Sequence, residues 1–233
     1  MIVVMMILDK QLKYFCDKEF VREFLQGKRV AIVGSAPSVI ENEQGFIDSH
    51  DVVIRVNNYK LFESTGFRTD VFYSFFGSSV KKNVKELKRD GVHLCMCKCP
   101  NAKFIESKWH QLNGKPNGTD FRYIYASRKN WWFSKTYVPT VDEFLEHFEL
   151  LGKHIPTTGF SAILDVLRYN PKSVYITGFD FFKSGIHNVN EKWREGRIDD
   201  PICHAPHAEL KWLRLNANKY PLIFDEHLKS LMG

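Results

Sequence analysis

Short apolar runs, broken by Gly, Pro, Asn and Asp, alternate along this chain with segments of helical periodicity. Lys18–Leu25 places Phe20, Phe24 and Leu25 on one side of a predicted helix, which Gly27-Lys28 closes. Arg29–Val33 (RVAIV) is the first strand, an unalternated apolar run of the kind buried on both faces of a parallel sheet. Asp51–Val56, Arg68–Ser74 and Val92–Cys97 are the next strands, with a basic helix expected over Val80–Lys88. Ile155–Phe182 then reads as turn, helix, turn, strand, turn. Within it, Thr157 or Thr158 can cap a helix whose apolar face is Phe160, Ile163, Leu164 and Leu167. Asn170-Pro171 ends that helix, Ser173–Thr177 forms a strand, and Gly178 breaks it. Pro206 suits the first turn of a further helix, with Leu210, Trp212, Leu213 and Leu215 expected to face the core, and Leu222–Phe224 is the last strand.

This alternation predicts an α/β fold, a Rossmann-like and mostly parallel sheet flanked by helices. Residues 100–154 differ in character. They are rich in aromatic and basic residues and weakly periodic apart from a helix over Val141–Leu151, with a flexible-loop signal at Asn113–Gly118. They read as a lid or insertion, with a surface subdomain packed through its aromatics as the other reading. Residues 183–203 form a polar stretch without a clear element. A length of 233 residues suits one domain carrying such a lid.

Charge narrows the partners. The formal net charge of +6 favours acidic ligands such as nucleotides, acidic glycans or anionic membranes. The basic residues are scattered, so no stripe for nucleic acid is expected. The apolar N-terminal run is eight residues long, short of the roughly twenty that span a membrane. No basic flank or cleavage site marks it as a signal peptide. A soluble, cytoplasmic protein is expected, with peripheral membrane contact and oligomeric state left open. The five cysteines, an odd number without framework spacing, agree with a reducing compartment. Cys95, Cys97 and Cys99 alternate, which on a strand puts all three on one face; a buried strand is favoured over a metal site.

Candidate chemistry gathers at the strand ends, where open α/β sheets bind ligands. Gly34-Ser35-Ala36-Pro37-Ser38 follows the first strand and allows close approach of a phosphate or ribose to the backbone. It has neither the dinucleotide fingerprint nor a Walker loop. Asn57-Asn58 after the second strand serves equally as a turn or as amide recognition of a base or ribose. Asp180 stands among Phe179, Phe181 and Phe182 just beyond a strand, and His204 precedes Glu209 with four residues between.

Taken in order, these motifs resemble the sialyltransferases, of both the animal and the bacterial lipooligosaccharide type. RVAIVGSAPSVI through VFYSF is similar to their long donor-binding motif, IPTTGFSAILDVLRYNPKSVYITGFDFF to their short motif, and His204 through Glu209 to their very short motif. The likeness covers roughly residues 29–76 and 155–215. It implies the A-type glycosyltransferase variant of the Rossmann-like fold, and transfer of sialic acid or a related acidic keto-sugar from a CMP-sugar donor to a glycan acceptor. The transfer would be inverting and metal-independent, with no cofactor beyond the donor substrate. It further implies that Gly34, Ser35 and Asn57 meet the cytidine nucleotide, with Ser74 where the bacterial type has another donor-binding asparagine. Thr158 and Gly159 would hold the ribose, phosphate or sugar carboxylate, Asp180 would border the donor, and His204 would be the general base. The chain departs from the animal type in having no cysteine pair joining its long and short motifs. It departs from the bacterial type at Phe182, where a tyrosine contacts the leaving phosphate, so His187 is the candidate replacement. A transferase using another nucleotide-sugar and a non-catalytic nucleotide- or glycan-binding module are the alternatives.

Overall fold

The structure, a computed structural model, describes residues 14–76, 80–99, 134–183 and 204–233. Among these, seven strands form one open, all-parallel sheet: β1 (Arg29–Val33), β2 (Val52–Val56), β3 (Val71–Ser74), β4 (Leu94–Cys97), β5 (Lys135–Tyr137), β6 (Ser173–Thr177) and β7 (Leu222–Phe224). Their order is β5-β4-β3-β2-β1-β6-β7. The chain therefore winds outward from β1 to one edge, then returns to the other side of β1. That reversal makes the β1/β6 boundary the topological switch point.

The period of two along each strand sorts the core into two layers. Val30, Ile32, Val52, Ile54, Val71, Tyr73, Val174 and Ile176 share one layer. It is covered by helices α1 (Lys18–Leu25), α4 (Thr158–Leu167), α5 (Pro206–Asn216) and α6 (Glu226–Met232). Ala31, Val33, Val53 and Tyr175 face the other side, under Val39 and Ile47 of short helical turns. Phe72, Cys95 and Cys97 continue that side against Leu87 of α2 (Val84–Arg89). Helix α3 (Val141–Leu150) brings Phe144 and Phe148 against Cys99 and Ile155.

Several expectations are corrected here. The basic helix begins at Val84 because Asn83 caps it: the Asn83 side chain accepts from the Glu86 amide, and the Glu86 carboxylate accepts from that of Asn83. Leu215 is exposed rather than core-facing, since α5 buries the face carrying Leu210 and Leu213. Cys99 lies past the end of β4 and packs with Phe144 and Phe148, whereas Cys95 and Cys97 are on the strand. Within the stretch read as a lid, β5 extends the main sheet beside β4 and α3 packs on the same fold; residues 100–133 lie outside the described residues. The bare edge of β5 is met by the segment around Phe15: the Cys16 amide donates to the Thr136 carbonyl and the Tyr14 carbonyl accepts from the Thr136 amide. No helix among the described residues is long and apolar enough to cross a membrane.

A buried polar cluster underlies α4. The Tyr73 hydroxyl donates to Asp165 Oδ2 at 2.5 Å, and His147 Nε2 lies 3.4 Å from Asp165 Oδ1. Arg168 donates to the same His147 nitrogen at 3.3 Å and pairs with Glu143 at 3.1 Å. Burial pushes the Asp165 carboxyl up to about 7 and the His147 imidazole down to about 4.

Candidate functional site

The parallel sheet puts the C-terminal ends of β1, β2, β3 and β6 along one rim. At the switch point the two central turns close onto each other. Gly34 donates to the Thr177 carbonyl at 2.8 Å, and Ala36 to the Gly178 carbonyl at 3.0 Å. A Cβ on Gly34 would overlap the Gly178 carbonyl, and Gly178 itself has a left-handed φ of 72°. The Phe179 ring then fills the gap between the turns and α4. A Cβ on Gly34 would stand 3.1 Å from its Cδ2, and a Cβ on Gly159 would overlap the ring outright. Gly159 is thus required by packing, and the Gly34 turn, Phe179 and the N-terminus of α4 form one continuous floor.

Beside this floor, Asn57 leaves β2 in the left-handed region, with φ of 50°. The Ser74 hydroxyl donates to Asn57 Oδ1 at 3.0 Å and accepts from the Phe76 amide at 3.1 Å. Ser74 is fully buried and holds the Asn57 side chain through this bond. This bond engages the side-chain Oδ1 of Asn57, and the remaining end of that amide can only donate.

On the other side, Thr157 rather than Thr158 caps α4, its Oγ1 accepting from the Phe160 amide at 3.2 Å. Thr158 is the first residue of the helix and half-buried. The first turn of α4 directs backbone N–H groups toward the rim, a setting that favours anions. His204 lies just before α5, with Nδ1 2.7 Å from the Ile155 carbonyl and its ring stacked on Phe182 at 6.5 Å between centroids. A carbonyl only accepts, so Nδ1 carries the proton and the basic lone pair of the neutral ring is on Nε2. Glu209, on α5 and fully buried, accepts from the Thr157 amide at 2.6 Å and from the Thr157 hydroxyl at 2.8 Å. Burial pushes its carboxyl up to about 7, against the Thr157 hydrogen bonds and the Lys98 charge.

Asp180 is buried and folds into its own turn, Oδ1 accepting from the Phe182 amide at 2.9 Å. Phe181 and Phe182 have left-handed φ values of 51° and 65° in that turn. Ser35 is half-buried on the Gly34 turn. His187 lies outside the described residues. The structure therefore joins Gly34 to Gly159 through Phe179, Asn57 to Ser74, and His204 to the loop before α4. Sequence reasoning missed the Phe179 wedge, the Ile155 carbonyl and Asp225. The Asp225 carboxylate accepts from the Thr177 hydroxyl at 2.7 Å and the Gly178 amide at 3.1 Å, while capping α6. The signal for Asp225 was present, an acid directly after the β7 run. The other two depend on contacts between distant segments.

No protein-family model matches the chain, and no curated protein does. Solved structures match in fold. A mammalian sialyltransferase aligns with a TM-score of 0.60 at 16% identity, over 94% of this chain and 77% of its own. The sialyltransferase CstII from Campylobacter jejuni, in complex with the substrate analogue CMP-3FNeuAc, aligns with a TM-score of 0.52 at 17% identity, over 84% of this chain and 81% of its own. CST-II in complex with a trisaccharide acceptor and CMP gives a TM-score of 0.52 at 16% identity, over 84% and 80%. The chain has a sialyltransferase-like fold.

Proposed function

We propose that this protein is a glycosyltransferase that moves sialic acid, or a related acidic keto-sugar, from a CMP-sugar to a glycan hydroxyl. The observation that carries this reading is the placement of His204. Its ring is anchored through Nδ1 to the residue before the Pro156-Thr157-Thr158 loop, so a candidate base and a candidate anion site share one short segment. The common fold with sialyltransferases solved with CMP, with a CMP-sugar analogue and with an acceptor supports the choice of donor and acceptor.

In this reading Ser35 and the donor end of Asn57 meet the cytidine nucleotide, with Ser74 holding Asn57. Thr158 and Gly159, at the start of α4, receive the phosphate or the sugar carboxylate, and Asp180 shapes the neighbouring turn. The acceptor oxygen attacks the anomeric carbon as the bond to the phosphate breaks, inverting that centre. His204 Nε2 takes the hydroxyl proton, a task suited to the basic lone pair of a neutral imidazole. The departing CMP carries a single phosphate, and no metal is assigned to the step. The stretch 100–154 is proposed to contribute a lid, and His187, outside the described residues, to approach the leaving phosphate.

The test is a nucleotide screen by thermal shift joined to a transfer assay. CMP is expected to raise Tm more than UMP, GDP or NAD, because a ligand bound only by the folded state stabilises it. Release of CMP from a CMP-sialic acid donor should require active protein. A preference for UDP would move the reading to another nucleotide-sugar, and CMP binding without turnover on any glycan would leave a binding module.

A further inference from the structure

Two side chains of α5 and the residue run leading into it grip the same tripeptide. His204 donates from Nδ1 to the Ile155 carbonyl at 2.7 Å. Glu209 accepts from the Thr157 amide at 2.6 Å and from the Thr157 hydroxyl at 2.8 Å. The Glu209 amide in turn donates to the Ala205 carbonyl at 3.0 Å, so the histidine and the acid are tied through one helical turn. Thr157 is also the cap of α4, bonded to the Phe160 amide. Glu209 is fully buried, so these bonds are shielded from competing water.

We propose that Glu209 is a positioning residue that acts through His204: by clamping Thr157 it sets where the Ile155 carbonyl stands, and so holds the imidazole in the tautomer with its lone pair on Nε2. This rests on the reading of His204 as the base. It explains the four-residue spacing between the two side chains. His204 lies before the helix and Glu209 in its first turn, and this separation lets both reach a tripeptide that runs past the start of α5. Glu209 itself touches neither substrate in this arrangement.

A double-mutant cycle tests the idea in the full chain, using Glu209→Gln, Thr157→Val, His204→Ala and the two combinations with His204→Ala. Gln keeps the volume and one acceptor but removes the second, and Val keeps the shape of Thr while removing the hydroxyl. Each clamp variant alone is expected to lower kcat about tenfold or more with KM for the donor changed less than threefold. In the His204→Ala background the same substitutions should cost almost nothing, because the group they position is gone. In parallel, ¹⁵N NMR of the imidazole should show one tautomer in the starting protein and a mixture in Glu209→Gln. Equal losses in both backgrounds, or an unchanged single tautomer in a folded Glu209→Gln, would overturn the proposal. Full activity of His204→Ala would instead remove the base reading, and the NMR result would still decide whether Glu209 sets the ring.

Discussion

At the scale of single residues, the buried cluster beneath α4 carries a measurable electrostatic signature. Arg168 can only donate, so the His147 nitrogen it approaches holds a lone pair and cannot also donate to Asp165. Asp165 accepts from the Tyr73 hydroxyl, and burial pushes its carboxyl up to about 7 against that hydrogen bond. A carboxyl raised in this way favours the fold while protonated. Its contribution is present below the unfolded value near 4 and is lost as pH rises through about 7. His147 has the opposite sign: lowered to about 4, it costs stability as pH falls below its ordinary range. Asp165→Asn keeps an acceptor for Tyr73 and removes the carboxyl titration. The Tm of this variant relative to the starting protein should be higher at pH 8 than at pH 5. Each tenfold change in proton affinity is about 1.4 kcal/mol, and a kcal/mol moves Tm by about 2–4 °C in a chain of this size. A difference that does not vary with pH would place the proton elsewhere in the cluster.

Between elements, the decisive contact is the Phe179 ring wedged where β1, β6 and α4 meet. On helix propensity alone, Gly159→Ala would stabilise the first turn of α4. The overlap of its Cβ with the Phe179 ring reverses that, at a cost of about 1–3 kcal/mol typical of overpacking. Thermal unfolding should show Gly159→Ala below the starting protein, and Phe179→Leu in the same chain should recover part of the loss. Additive effects of the two substitutions would mean that the ring and the glycine do not meet. Because the same wedge sets the floor of the site, CMP affinity should fall with Gly159→Ala and return with the second substitution.

For the molecule as a whole, the reversal of strand order at β1 explains why segments far apart in sequence converge on one rim. The Gly34 turn, the start of α4 and the Gly178 turn belong to the two strands flanking that reversal, and Asn57 and Ser74 follow on the next two. A net charge of +6 favours anionic ligands. Among the described residues, no group of three His, Cys, Asp or Glu could hold a metal. Transfer is expected to survive excess EDTA with little loss of initial rate, since a donor with one phosphate needs no cation to bridge a diphosphate. Abolition by EDTA and restoration by manganese would favour a nucleoside diphosphate donor instead.

Local pattern was enough for most of the elements. Lys18–Leu25, Arg29–Val33, Ser173–Thr177 and Leu222–Phe224 are found as the periodicity predicts, because apolar spacing and neighbouring breakers act within a few residues. The ordered motifs also placed Gly34, Asn57 and the start of α4 on one rim, since a parallel sheet sends every strand end the same way. A strand as short as Lys135–Tyr137 has no readable period, and it becomes a strand only by pairing with β4. The roles of individual side chains were decided later still. That the Ser74 hydroxyl bonds Asn57, and that a side chain at Gly159 would collide with Phe179, are visible only in the folded chain. The tautomer of His204 depends on Ile155, 49 residues away in sequence. Such assignments are contacts between distant segments, and residue types and spacing do not encode distances that exist only once the sheet has assembled.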